Sequence, residues 1–232
     1  MKLGDIFRSG MVLAAGKPIR FFGEGAGHGE ITFANQSKEI ISNNEFWCVE
    51  FPGMEYGGPH EIIFKTESTT VVLNNVYVGE VYLFSGQSNM TMMLEETNTS
   101  KARYADDCRI RYVDITPIPE DIIDWQAASR ECIGKWSALG YLVCKDIADK
   151  KNIHVGAVVC ARGATAIESW VPMGAFEAIG INIQSEDKYP DHRYECNVDG
   201  RMYQSKLMRA VPYSFSGVVW YQGESDASVA EG

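Results

Sequence analysis

The sequence predicts an α/β fold with a parallel sheet, preceded by a small β-sandwich, because the hydrophobic pattern changes along the chain. Residues 10 to 78 have the pattern of short strands separated by turns at intervals of about ten residues, which is typical of a β-sandwich. From residue 79 onward, helical apolar spacing alternates with nearly continuous apolar runs, which are typical of strands covered on both faces. Helices that alternate with such strands imply a parallel sheet built from right-handed crossovers.

The amino-terminal region, residues 1–77, is expected to form a jelly-roll-like sandwich. Glycine, asparagine and proline residues punctuate it, and its candidate strands include 19–22, 29–33, 45–51, 60–65 and 70–73. No constellation of charged or hydroxyl side chains in this region suggests chemistry. The region is therefore expected to be a structural or carbohydrate-facing module.

The remaining residues, 78–232, are expected to form the parallel sheet and its helices. Apolar residues recur at helical spacing over 138–150, and lysines end that segment. It leads into the apolar run 153–160, which predicts a buried strand. A second helix is predicted over 202–211, followed by another buried strand at 217–221.

Composition disfavours several classes of partner. A net charge of -10 and a pI near 4.9 would repel the phosphates of nucleic acid or of an anionic membrane. No apolar run approaches the roughly 20 residues of a membrane-spanning helix. The six cysteines and four histidines lack metal-ligand spacing, so they predict no metal site. Reduced cysteines and a start without a signal-peptide pattern predict a cytoplasmic protein.

Ser88 is a candidate nucleophile. It follows an apolar strand at 76–83 and a turn of small residues, and good helix formers with acidic residues occupy 91–96. This strand–turn–helix arrangement lifts a hydroxyl to the carboxyl end of a sheet, beside the partially positive start of a helix. The alternative is that Ser88 only caps the helix, as serine often does.

Polar loops also follow the other strong strands, at 161–165 and 222–225. In open α/β sheets, ligands bind beyond the carboxyl ends of the strands, so these loops and the one before Ser88 are expected to converge. Together they supply a hydroxyl, backbone donors, an amide and a carboxylate, which are the groups that acyl transfer needs. Taken singly, Arg162, Gly163, Gln222 and Glu224 could equally be ordinary turn or surface residues.

Three segments carry a family resemblance. Residues 79–90, 162–170 and 218–225 resemble three sequence blocks of the sialate O-acetylesterases and related carbohydrate acetyl esterases of the SGNH-hydrolase superfamily. These esterases have a flavodoxin-like parallel sheet, preceded by a β-sandwich. Arg162 departs from the small residue expected at that position.

The resemblance implies the removal of O-acetyl groups from a sugar, either sialic acid or an acetylated polysaccharide, without a cofactor. Ser88 would be the nucleophile, and Gly163 and Gln222 would help to hold the oxyanion. Independently of the resemblance, Glu224 could orient or assist a base, because a carboxylate beside an imidazole raises its basicity. The implied substrate-binding residues, in the loops that carry these groups, are Gln87, Asn89, Arg162 and Thr165.

The residues also predict that the hydrolase domain is incomplete at its carboxyl terminus. The family takes its base from an Asp-x-x-His motif beyond the third block, and no Asp-x-x-His occurs in these 232 residues. Of the histidines, His28 and His60 lie in the sandwich half and His154 at the start of its strand, which leaves His192 as the internal substitute. The alternative function is a carbohydrate-binding remnant without turnover. The sugar, the acetyl position and the oligomeric state stay open.

Overall fold

A computed structural model describes residues 1–43, 45–98, 104–122, 124–180 and 195–227 of the chain. The helices of these residues are α1 (Ser88–Thr91), α2 (Ala138–Lys151), α3 (Ala175–Ala178) and α4 (Arg201–Ser205). Short 3₁₀ turns occupy Leu94–Glu96, Pro119–Asp121, Ile133–Lys135, Ile167–Trp170, Glu195–Asn197 and Leu207–Ala210. The strands are β1 (Lys2–Leu3), β2 (Val12–Ala14), β3 (Ile19–Glu24), β4 (Gly27–Phe33), β5 (Gln36–Ser42), β6 (Phe46–Phe51), β7 (Gly57–Thr66), β8 (Thr70–Gly86), β9 (Asp107–Asp114), β10 (Gln126–Ala128), β11 (Val155–Ala161) and β12 (Gly217–Tyr221).

The amino-terminal strands form facing sheets held together by aromatic side chains. An antiparallel sheet in the order β1-β3-β6 packs against β4 and β7 of the larger sheet. The ring of Phe33 on β4 lies 5.6 Å from that of Phe21 and 5.9 Å from that of Phe51, both on the smaller sheet. Trp47 on β6 stacks on Phe64 of β7 at 5.5 Å. Burial of such rings is the main stabilising contribution of this region.

Strand β8 connects the amino-terminal strands to the parallel sheet. Its first half pairs antiparallel with β7, and its second half pairs parallel with β11 and β12. The domain boundary expected between residues 77 and 78 therefore falls inside one continuous strand. The hydrophobic core is also continuous across this point, because Phe21 of β3 and Val158 of β11 belong to one buried cluster.

The parallel sheet has the strand order β10-β9-β11-β8-β12, with β10 antiparallel at one edge. The α/β prediction is thus confirmed as a mixed sheet with helices. Strand β11 is buried along its whole length, as its apolar run predicted. Strand β8 lies between β11 and β12, which both follow it in sequence, so the direction in which strands are added reverses at β8. Such a reversal opens a crevice at the carboxyl ends of the strands, where ligands bind in this type of sheet.

Helix α2 covers one face of the sheet, as predicted. Ser137 caps it by accepting a hydrogen bond from the backbone N–H of Gly140 at 3.2 Å. Tyr141, Cys144 and Ala148 form its buried side and belong to one cluster with Ala157 and Val159 of β11. The helix ends at Asn152, whose φ of +54° is the left-handed conformation common at this position.

Two predicted helices are shorter than expected. Helix α1 is a single turn, because the backbone beyond it bonds to the segment before α2 instead of continuing the helix. The N–H of Leu94 donates to the carbonyl of Trp136 at 3.0 Å, and that of Ala138 donates to Met92 at 2.8 Å. The helix predicted over 202–211 is broken at Lys206, whose φ of -123° is not helical. In the described part of the chain, no helix is long and apolar enough to cross a membrane.

Candidate active site

Strands β8, β11 and β12 end at the same level, which brings three polar loops to one edge of the sheet. These are called the first loop (residues 87–88), the second loop (162–167) and the third loop (222–226). Gly86, the last residue of β8, is paired with Ala161 of β11 on one side and Tyr221 of β12 on the other. The next residues along each strand are therefore neighbours in space. The convergence expected of these loops follows from this register.

Ser88 lies at the first position of α1 and is exposed. Its hydroxyl makes no hydrogen bond within the described ranges of the chain. Gly163 approaches it closely, since a Cβ added to Gly163 would lie 3.6 Å from the Cβ of Ser88. The backbone that follows β11 is thus beside Ser88.

Gly86 allows the close approach of β8 and β12 that precedes Ser88. Its φ of +136° lies in a region that only glycine adopts readily. A Cβ at this position would lie 2.0 Å from the carbonyl oxygen of Tyr221. The same oxygen accepts a hydrogen bond from the backbone N–H of Gln87 at 2.9 Å.

Gln87 connects the first loop to the third. Its Oε1 accepts hydrogen bonds from the backbone N–H of Gly223 at 3.1 Å and of Ser225 at 3.3 Å. Because both partners are donors, the orientation of the side-chain amide is determined. The side chain is only 3% exposed, and the substrate contact expected of it stays a prediction.

Thr165 is also buried, with 0% exposure, and so does not reach the surface of the site. Its hydroxyl donates to the carbonyl of Arg162 at 2.7 Å and accepts from Nε1 of Trp170 at 2.9 Å. These bonds stabilise the conformation of the second loop. The side chain of Arg162, by contrast, is exposed at the rim of the site. The substrate contact expected of Thr165 stays a prediction.

Gln222 is held by two acceptors. Its Nε2 donates to the carbonyl of Thr165 at 3.1 Å and also to Oδ2 of Asp226. A side-chain amide has two N–H groups, so both are engaged by the protein in this conformation. Neither is directed at an oxyanion beside Ser88, although the resemblance assigns that role to Gln222.

Asp226 is a functional candidate that sequence reasoning missed. Besides binding Gln222, its Oδ1 accepts from the backbone N–H of Ile167 at 3.2 Å, which joins the third loop to the second. The sequence signal available was a carboxylate four residues after Gln222, on the same short turn.

Asn197 was missed as well, and no local pattern indicates it. Its Oδ1 accepts from the N–H of Ala166 and its Nδ2 donates to the carbonyl of Ala164, both at 2.9 Å. Ala164 has a φ of +59°, an uncommon value for a residue with a side chain. These two bonds support the second loop in this conformation.

Asn89 and Glu224 form a link across the rim of the site. Nδ2 of Asn89 donates to Oε1 of Glu224. Glu224 is exposed and Asn89 partly so. Their polar atoms lie beside the exposed Ser88, where a ligand could reach them.

The histidines described by the structure lie away from this edge. His154 immediately precedes β11, at the end of the sheet opposite Ser88, and its ring stacks on Tyr77 at 3.7 Å. Partial burial and the nearby Arg111 guanidinium lower the pKa of His154. His28 and His60 belong to β4 and β7. His192, the one internal substitute for the base that the sequence offered, lies outside the described residues.

Cys160 does not compete with Ser88 as a nucleophile. It is fully buried near the end of β11, and burial, followed by the charge of Asp114, raises the pKa of its thiol to about 12. All six cysteines of the chain are free thiols. Among the described residues, no group of His, Cys, Asp and Glu side chains could hold a metal ion.

Known proteins resemble this chain in both sequence and fold. Human sialate O-acetylesterase is 27% identical over 224 residues, which cover 85% of this chain and 42% of that protein. Rat sialate O-acetylesterase is 27% identical over 248 residues, covering 86% of this chain and 46% of that protein. The chain therefore spans less than half the length of these curated relatives.

A solved structure has the same fold. The crystal structure of a carbohydrate acetylesterase from Xanthomonas citri superimposes with a TM-score of 0.80 at 22% sequence identity. The match covers 97% of this chain and 52% of that one. The family model of the carbohydrate esterases described as sialic acid-specific acetylesterases matches residues 78–232, the region that contains all three converging loops. The chain belongs to this family of sialic acid-specific carbohydrate acetylesterases.

Proposed function

We propose that this chain carries the acyl-transfer site of a carbohydrate O-acetylesterase, with Ser88 as the nucleophile. The observation that supports it best is the convergence of three polar loops at the sheet edge where strand order reverses, with the exposed Ser88 beside the backbone of Gly163. The family to which the chain belongs has the same reaction class in its description.

In the proposed reaction, the Oγ of Ser88 bonds to the carbonyl carbon of an acetyl ester while its proton passes to a base. The tetrahedral intermediate then breaks the bond to the sugar oxygen, which leaves as the alcohol after taking up a proton. Water next attacks the acetyl-serine, releases acetate and restores the hydroxyl. The substrate class is an acetylated sugar, either a sialic acid or a polysaccharide.

Backbone N–H groups of Ser88 and Gly163 are the proposed oxyanion donors. Donors of this kind each lower the barrier by roughly 3 kcal/mol. Gln222 joins them only if its side chain leaves the carbonyl of Thr165 and the carboxylate of Asp226. Its present bonds favour a first role in holding the third loop against the second.

The remaining site residues divide into two groups by burial. Arg162, Asn89 and Glu224 have accessible polar atoms and are proposed to contact the sugar or to assist the base. Gln87 and Thr165 are buried and are proposed to position the loops instead.

We also propose the type of sheet, the division into domains and the location of the protein. The order β11-β8-β12 supports an SGNH-type, flavodoxin-like sheet. The facing sheets of residues 1–77 support a β-sandwich ahead of a hydrolase domain at 78–232. Free thiols, including exposed Cys48 and Cys108, support a reducing, cytoplasmic location.

Binding of an acetylated sugar without turnover is the second candidate function. Within the described residues, no imidazole lies at the edge that carries Ser88, and both N–H groups of Gln222 are engaged. A serine without a base is a weak nucleophile, whereas a pocket with backbone donors still binds a carbonyl group.

Hydrolysis of 4-nitrophenyl acetate by the chain and by a Ser88→Ala variant distinguishes the two functions. The matched control is Ser68→Ala, because Ser68 is an exposed serine in the turn between β7 and β8, remote from the site. Turnover that Ser88→Ala abolishes and Ser68→Ala retains supports the esterase. Equal rates in all three proteins would refute it, and acetylated xylan or a 9-O-acetylated sialic acid would then be tested for binding alone.

A further inference from the structure

A cleft of about 550 Å³ lies between the smaller amino-terminal sheet and the segment that precedes β12. Residues 2–5 and β3 form one wall, and residues 204–212 form the other. Its volume is within the range of small-molecule sites. It shares no residue with the loops that carry Ser88, Gly163 and Gln222, so the proposed esterase does not account for it.

An exposed aromatic ring stands at the mouth of the cleft. Phe46, the first residue of β6, is 52% exposed, although its neighbour in sequence, Trp47, is buried in the core. Its ring is stacked on that of buried Phe22, with centroids 6.2 Å apart and planes at 30°. Phe22 thus packs against the Phe46 ring, while about half of the Phe46 side chain stays accessible to a ligand.

Charged groups of both signs line the interior. The Asp5 carboxylate lies between two cations, 2.9 Å from Nζ of Lys2 and 3.7 Å from Nε of Arg209. Arg209 is held in place because its Nη1 donates to backbone carbonyls, including that of Ile115 at 3.0 Å. Glu24 adds a second acid to the lining. A strongly charged ligand of either sign would meet a like charge here, so the lining favours a neutral ligand rich in hydroxyl groups.

The cleft continues into a larger open groove of about 1020 Å³. Lys2, Glu24 and Phe46 line both spaces, which places the exposed ring at their junction. A ligand bound there can extend to either side of Phe46. The groove therefore suits a chain of linked units better than a single small ring.

We infer that this cleft is a second carbohydrate site, separate from the Ser88 edge, that binds a neutral oligosaccharide with one sugar ring on Phe46. Aromatic faces stack on the apolar C–H face of a pyranose, and carboxylate and amide side chains bond its hydroxyls. The choice of a sugar over other neutral polar ligands rests on the proposed function.

Isothermal titration calorimetry with xylohexaose, cellohexaose and mannohexaose tests the inference. We expect at least one of them to bind, about tenfold more weakly to Phe46→Ala. Phe46→Trp, which keeps a flat ring, should retain binding. Ile41→Ala is the matched control, because Ile41 is an exposed apolar residue on β5 that lines neither the cleft nor the groove.

No binding of any of the three at millimolar concentration would overturn the inference, as would equal binding by Phe46→Ala. Tighter binding of the acidic sugar 3'-sialyllactose than of the neutral ones would overturn it too. Ser88→Ala is expected to bind as the unmodified chain does. Ester hydrolysis that Ser88→Ala leaves unchanged, together with retained, Phe46-dependent binding, would therefore refute the proposed function and leave the second site standing.

Discussion

Replacing Gln87 with leucine should release the third loop of the site from the sheet. The two hydrogen bonds that its Oε1 accepts, from Gly223 at 3.1 Å and Ser225 at 3.3 Å, would both be lost. Leucine has a similar volume, so the cavity term is small and the loss of the acceptor dominates. At about 1 kcal/mol for each bond, the free energy of unfolding should fall by about 2 kcal/mol.

Urea unfolding measures the total effect, and hydrogen exchange locates it. With a slope of about 2 kcal/mol per molar urea, the unfolding midpoint should fall by about 1 M. Mass spectrometry of a peptide covering residues 222–227 should show faster exchange, because the amides of Gly223 and Ser225 lose their partner. Gln87→Glu keeps an acceptor oxygen and should preserve the protection.

Asn89→Ala is the control for this experiment. It removes a side-chain bond to the same loop, to Glu224, but leaves the backbone amides bonded to Gln87. It should therefore leave their exchange nearly unchanged. Unchanged exchange in Gln87→Leu would refute the reasoning, because the loop would then be held by other contacts.

Two further substitutions, Gly86→Ala and Glu80→Gln, test contacts made by β8. Gly86→Ala should lower the free energy of unfolding by about 3 kcal/mol or more in urea, because its Cβ would lie 2.0 Å from the carbonyl oxygen of Tyr221. Gly16→Ala is the control, because Gly16 has a φ of +67° and an added Cβ would meet no atom within 4 Å. It should lower the free energy of unfolding by only about 1 kcal/mol. Similar losses in both variants would argue against the clash at Gly86. For Glu80, burial works to raise the pKa, but hydrogen bonds, including that from Lys151, hold it below the ordinary 4.5. The carboxylate therefore stabilises the fold above pH 4.5 and loses this effect as pH falls through the lower pKa of the folded state. The Glu80→Gln variant should accordingly be less stable than the unmodified protein near pH 7 and about as stable near pH 3. An equal difference at both pH values would contradict this assignment.

The convergence of the three loops was predictable because short segments of sequence carry their polar residues. Ser88, Gly163 and Gln222 each follow an apolar run, and parallel strands place the residues after their carboxyl ends at one edge. Burial was not predictable at this level. Gln87 and Thr165 are polar residues in polar loops, and only their partners from other loops show that they lie inside.

Local periodicity also determined which segments are regular. The apolar run at 153–160 predicted a buried strand, and the spacing over 138–150 predicted a helix, because burial on both faces or on one face has a direct signature in sequence. Only the tertiary structure decided where regular structure stops. The helix after Ser88 ends after one turn because the backbone of 92–94 bonds to 136–138, some forty residues away.

The sequence by itself therefore determined the α/β class, the loops that converge and the family. Tertiary structure alone decided that β8 runs unbroken through residues 77 and 78, and that Asp226 and Asn197 hold the second loop in place. The physical reason is that propensity and hydrophobic spacing act over a few residues. Strand register, by contrast, and the hydrogen-bond partners of buried polar groups are chosen by segments far apart in the chain.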